Sequence, residues 1–120
     1  MKLDDNTRAA LNTYPLYSQD GKRGEAVAVA RLFITGTAAT YYILEGNTKT
    51  GELYGVSNME RHADGSETWT YGYYYLPELE ELNLYGGLVH VAADADFTPT
   101  KLADIPEIAE ALAELWKNED

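Results

Sequence analysis

The chain contains no cysteine, so disulfides, thiolate metal sites and a cysteine nucleophile are excluded from the start. No apolar run approaches the roughly 20 residues that a membrane-crossing helix needs. The opening stretch, MKLDDNTRAALN, lacks the basic block and apolar block of a signal peptide, and the expectation is a cytoplasmic protein. Cations are scarce too: nine Lys and Arg stand against twenty Asp and Glu, for a net charge of −11. Affinity for nucleic acid rests largely on cationic contacts to phosphate, so direct binding of DNA or RNA is not expected. A partner with a basic surface fits such a chain better.

What is present describes one globular domain spanning residues 1–120. Apolar residues make up 45% and charged residues 24%, the balance of a folded protein rather than a disordered one. A chain of this size buries roughly 65% of its unfolded surface, enough for a core without metal or disulfide support. The acid is unevenly placed. Residues 1–75 hold nine acids against seven Lys and Arg, whereas residues 76–120 hold eleven acids against Lys101 and Lys117.

Along the chain, DDNTRAALN reads as a short helix, capped by Asp4 or Asp5 and ended by Tyr14-Pro15. AVAVARLFI (26–34) is apolar on both faces, the pattern of a central strand. A Thr35-Gly36 turn leads into TAATYYILE (37–45), GNTKTG turns into ELYGVSNM (52–59), and Asp64-Gly65 turns into TWTYGYYY (68–75). Pro77 suits the first turn of a short helix in PELEELN, and GLVHVAA (87–93) supplies a fifth strand. Asp104 is expected to open the last helix, with Glu107 three residues on in capping-box position. Ile105, Ile108, Ala109, Leu112, Leu115 and Trp116 form its apolar stripe, and Glu107, Glu110 and Glu114 form an acidic line on another side. The expected fold is α+β: an antiparallel meander sheet of four to five strands, with the C-terminal amphipathic helix packed on one face. Short helices lie at the N-terminus and after the fourth strand.

Strand 68–75 places Trp69, Tyr71, Tyr73 and Tyr75 on one face and Thr68, Thr70, Gly72 and Tyr74 on the other. A large aromatic buries about 150–250 Å², so four of them in water would exceed the patch of a few hundred Å² usual for a monomer. The row therefore reads as a core wall under the last helix, with Tyr74 on the wet face; a stacking platform and a protein interface are the alternatives. Ten Tyr against two Phe is lopsided for a core, because each buried phenol needs a hydrogen-bond partner. Many of the ten are expected at the rim, and Tyr is enriched at protein interfaces.

The inventory for chemistry is thin. His62 and Asp64, in RHADGSE, read as decoration of a hairpin tip, and His90, with Asp94 and Asp96 nearby, as a half-buried strand residue. Ser57 lacks the second glycine of a nucleophile elbow, and GTAAT lacks the lysine and helix of a phosphate loop. No catalytic, metal or cofactor residue is assigned. The candidate contact set is Glu107, Glu110 and Glu114 with Tyr74.

Six fragments also carry a resemblance: PLYSQD (15–20), AVARLFI (28–34), ATYYILEG (39–46), LYGVS (53–57), YGYYYLPELEEL (71–82) and ADFTPTKLADI (95–105). Over about residues 14–105, their order and spacing resemble an uncharacterised bacterial family of small domains of unknown function. That family is common on plasmids, phages and integrative elements. The sharpest pieces are the G-Y-x-x-L-x-E-L-E run and F-x-P-T-x-L. The resemblance supplies no activity and no site residue; it implies a small accessory protein of mobile DNA. Together with the charge, it leads to the expectation of a non-enzymatic acidic module that occupies the cationic site of a host protein. The rivals are a ligand binder or enzyme with a tyrosine- and histidine-lined pocket, and a structural subunit that pairs through its tyrosines.

Overall fold

The computed structural model describes residues 5–19, 21–61 and 67–118. The fold is α+β, and its centre is a six-stranded antiparallel sheet. Helix α1 (Asp5–Thr13) stops short of Tyr14-Pro15, where proline would clash with a continuing helix. The apolar stretch 26–34 divides into β1 (Val27–Ala28) and β2 (Ala30–Ile34). The chain then runs through β3 (Thr40–Asn47), β4 (Glu52–Arg61) and β5 (Glu67–Tyr75), so β2 to β5 form the expected meander. Helix α2 (Leu76–Glu81) carries Pro77 in its first turn, where no N–H is missed.

Beyond α2 the sheet is larger than expected. A hairpin of β6 (Asn83–Leu84) and β7 (Val89–Ala93) returns to the far side, and β7 pairs with β2, giving the order β5-β4-β3-β2-β7-β6. A separate short ladder joins β1 to β8 (Thr100–Lys101). Helix α3 (Pro106–Asn118) follows a 3-10 turn over Leu102–Asp104. Asp104 thus lies in that turn and does not open the helix. The carbonyl of Ile105 instead accepts the N–H groups of Ile108 and Ala109, at 3.0 and 2.8 Å.

Both faces of the sheet are covered. Leu11 of α1 and Leu76 of α2 pack with Leu32, Tyr41, Ile43, Leu53 and Val91 on one face. On the other, Ile108 and Leu112 of α3 pack with Ala28, Tyr42, Leu44, Val56 and Leu102. Each fully buried Leu or Ile contributes about 1.5–3 kcal/mol, so either layer alone is a substantial share of the stability. Within the expected stripe of α3, Leu115 is the departure: it is 41% exposed.

Strand β3 is buried from Thr40 to Gly46 because it sits between the two layers. Its register against β4 shifts between Ile43 and Glu45, leaving a bulge at Leu44. There the Gln19 amide replaces strand pairing: Nε2 donates to the carbonyls of Leu44 (2.6 Å) and Val27 (2.9 Å), and Oε1 accepts the Val27 N–H. Gly55 faces the same place on β4, and a Cβ there would lie 2.1 Å from the Tyr42 carbonyl oxygen. Only glycine permits that approach.

Candidate functional site: an acidic helix face and a tyrosine cleft

Glu107, Glu110 and Glu114 of helix α3 are all exposed to solvent. Glu107 is tethered as well as exposed, because its carboxylate accepts a short hydrogen bond from the Tyr42 hydroxyl. Burial, and then the hydrogen bond and charge of Glu107, push the Tyr42 phenol up to about 12, with Arg31 opposing. Arg31 lies across from Tyr42 in the β2–β3 ladder, pairs with Asp94 at 3.4 Å, and sets its guanidinium 5.3 Å from the Phe33 ring centre. The N-terminal turn of α3 is thereby fixed to the sheet, and Glu107 is held at a defined place. Elsewhere, Lys101 meets Glu25 at 2.7 Å, and Glu25 raises the lysine pKa by hydrogen bond and charge.

The tyrosine row divides. Trp69 and Tyr71 are half-buried against the α3 layer, and the Trp116 indole N–H donates to the Tyr71 hydroxyl at 2.9 Å. Tyr73 and Tyr75 lie further along the strand from that contact and are 59% and 47% exposed, so the expected continuous core wall ends at Tyr71. Tyr74 also departs from expectation, because its face is not the wet one. It packs edge-on against Tyr41, with centroids 4.9 Å apart at 79°, in the layer covered by α1 and α2. Burial raises its pKa, with a hydrogen bond to Ser57 opposing and Tyr41 adding. The two departures have different reasons: Tyr74 is covered because α1 and α2 pack on the face opposite α3, whereas Tyr73 and Tyr75 are exposed because the α3 layer takes in Trp69 and Tyr71 and stops short of them.

Where β5 runs into α2, a cleft of about 410 Å³ opens. It is lined by Tyr41, Tyr73, Tyr74, Tyr75 and Leu79, with the acids Glu52 and Glu78. Glu52 reaches it because the β4–β5 register sets it directly opposite Tyr75. A second cleft, about 240 Å³, is lined mainly by Ala, Val, Pro and Phe97 and contains the Arg31–Asp94 pair.

His90 lines neither cleft. His90 braces its hairpin: Nδ1 lies 2.7 Å from the Gly87 carbonyl, which places the proton on that nitrogen, and its backbone N–H donates to Thr35 Oγ1. Asp94 is engaged by Arg31 and by the Asp96 N–H, not by His90. His62 and Asp64 lie outside the described residues. Among the described residues, no three His, Cys, Asp or Glu side chains are placed to share a metal ion, and no helix is long and apolar enough to cross a membrane.

Sequence reasoning passed over Glu45. Its side chain is 1% exposed, and its carboxylate accepts the N–H groups of Tyr17 (2.6 Å) and Gln19 (2.8 Å). With the Gln19 amide, it locks the loop after α1 onto the β3 bulge. The signal available was an acid closing the apolar run TYYIL, in a fragment paired by resemblance with PLYSQD. Both fragments meet in this lock, which is structural. Comparison of the chain with models of known protein families, with curated proteins and with solved structures finds no match.

Proposed function

We propose that this chain is a cytoplasmic, non-enzymatic, acidic protein-binding module that covers a cationic, nucleic-acid-binding site on another protein. The observation that carries the reading is the outer face of α3. Glu107, Glu110 and Glu114 span about 10 Å along the helix, and one strand of a DNA duplex carries about three phosphates per 10 Å of the duplex axis. All three are exposed on a helix fixed to the sheet through Tyr42–Glu107 and Trp116–Tyr71. An array of that spacing on a fixed helix presents a basic groove with charge it already recognises, and leaves only the Glu110 and Glu114 side chains to be ordered on binding. The resemblance to small proteins of mobile DNA supplies the context: an accessory protein acting on a host's defence or DNA-handling protein.

The test is charge reversal. Pull-down from host lysate at low and high salt identifies the partner, and the Glu107→Lys/Glu110→Lys/Glu114→Lys variant then weakens the complex mainly through its on-rate. The Glu110→Lys/Glu114→Lys pair, which spares the bond to Tyr42, separates lost charge from lost structure. Unchanged partner binding in both variants refutes the reading. Salt-sensitive retention of the parent protein on DNA refutes the expectation that it avoids nucleic acid.

A further inference from the structure

The tyrosine cleft at the end of β5 has a chemistry of its own. We infer that it is a receptor for an organic cation on a hydrocarbon stem, and that the cation is a lysine or arginine side chain presented by the protein partner. Among the described residues, the lining takes in four tyrosines and two glutamates and no Lys, Arg or His. Ring faces attract cations through their quadrupole, and the carboxylates add net charge beside them. Among the described residues, neither Glu52 nor Glu78 has an ion-pair partner. The smaller cleft differs on this point, since its Arg31 and Asp94 already answer each other.

Other ligand classes fit less well. An anion meets two like charges. A neutral apolar ligand displaces water from both carboxylates and gives them nothing in return. A cation with an aliphatic stem satisfies both halves of the lining, its stem against Leu79 and the rings and its head toward the acids. The volume of about 410 Å³ lies within the range of small-ligand sites, about 300–1,000 Å³. The walls are also held before binding: Tyr74 by Tyr41, and Tyr73 by the Tyr54 ring 4.8 Å away. Prior order of this kind lowers the entropy lost on binding.

The inference rests on the proposed function for the source of the cation, and the experiment separates the two. Nuclear magnetic resonance titrations follow the tyrosine ring and backbone signals of the full chain. The probes are N-acetyl-lysine methylamide, its arginine counterpart, the uncharged norleucine counterpart, and a short lysine- and arginine-containing peptide. The lysine and arginine amides are expected to shift Tyr73 and Tyr75 saturably, the norleucine amide not to do so, and the peptide to bind at least about tenfold more tightly at the same residues. Tyr73→Ala and Glu78→Gln each weaken binding by about three- to tenfold. Glu78→Gln alters only an exposed carboxylate, which keeps the test readable whatever Tyr73→Ala does to folding.

No saturable shift with any cation, or an equal shift with norleucine, overturns the site. Equal affinity for the free amides and the peptide overturns its assignment to a protein side chain. The lysine variants of α3 leave these titrations unchanged, so loss of cleft binding and loss of partner binding register as separate failures.

Discussion

Glu45 is a buried carboxylate whose partners, among the described residues, are backbone amides, and its removal has a calculable consequence. Glu45→Ala deletes acceptors for the N–H groups of Tyr17 and Gln19, at 2.6 and 2.8 Å. Gln19 is buried, so its amide is left without water or protein, at about 1–3 kcal/mol; Tyr17 is exposed, and its amide regains water at lower cost. Relief of the carboxylate's own desolvation acts the other way. The vacated volume adds a cavity penalty. The net expectation is a loss of about 3 kcal/mol, out of a stability of about 5–10 for a domain of this size. Glu45→Gln keeps the shape and one acceptor but turns an NH₂ group toward the second amide, so it loses about half as much. Urea denaturation of parent and both variants measures these differences, and hydrogen exchange at Tyr17 and Gln19 reports whether the loop itself has opened. If both variants unfold within about 0.5 kcal/mol of the parent, as surface changes do, the lock is not a source of stability.

Two further outcomes are expected from the tyrosines. Tyr74→Ala, which removes a ring packed on Tyr41, costs about 2–4 kcal/mol, whereas Tyr73→Ala, at an exposed ring, costs under about 1; denaturant midpoints in the reverse order would contradict the layer assignment. Stability is also expected to decline at alkaline pH. An unfolded tyrosine ionises near 10 and Tyr42 near 12, so between those values the unfolded chain has lost a proton that the folded chain retains. The contribution is complete below pH 10 and disappears as pH rises to 12. Thermal melts across that window fall less steeply for Tyr42→Phe, and an identical slope would refute the assignment.

The meander and the end of α1 were legible because their determinants are local: turn residues at regular spacing, an apolar double face at 26–34, and Pro15 after the helix. The bulge at Leu44 was not, because its cause is a glutamine side chain from a distant loop. Capping-box spacing at Asp104 and Glu107 misled for a related reason. Pro106 begins the helix, Asp104 remains in the preceding turn, and Glu107 finds a better partner in Tyr42. The strand of tyrosines exposes the limit of alternation most clearly. Period-two patterning separates a wet face from a dry one only when one face is wet, and here Tyr74 meets one layer while Trp69 and Tyr71 meet the other. Of the candidate contact residues, Glu110 and Glu114 are exposed, Glu107 is exposed and tethered, and Tyr74 is half-buried beside the cleft. Glu52 and Glu78 drew no notice among so many acids. Strand register, which composition does not carry, brings Glu52 to the cleft beside Tyr75.

The two acidic surfaces act over different distances, and salt separates them. The carboxylates of α3 stand in water, where charges farther apart than about 8 Å are largely screened at physiological ionic strength. In the proposed reading their effect is on the approach: they gather and orient a basic partner, and the gain in on-rate falls as salt rises. A cation bound in the cleft as inferred would meet tyrosines and carboxylates with water displaced, and contact of that kind is screened much less. Its effect is on departure. A partner that uses both surfaces therefore loses association rate with added salt while its dissociation rate changes little. A partner held by α3 alone loses affinity with salt and dissociates quickly at every concentration, because exposed ion pairs contribute only about 0–1 kcal/mol each. Association and dissociation rates measured across a salt series distinguish these cases without knowledge of the complex's structure. A dissociation rate that climbs in step with the loss of association would leave the cleft without a part in binding.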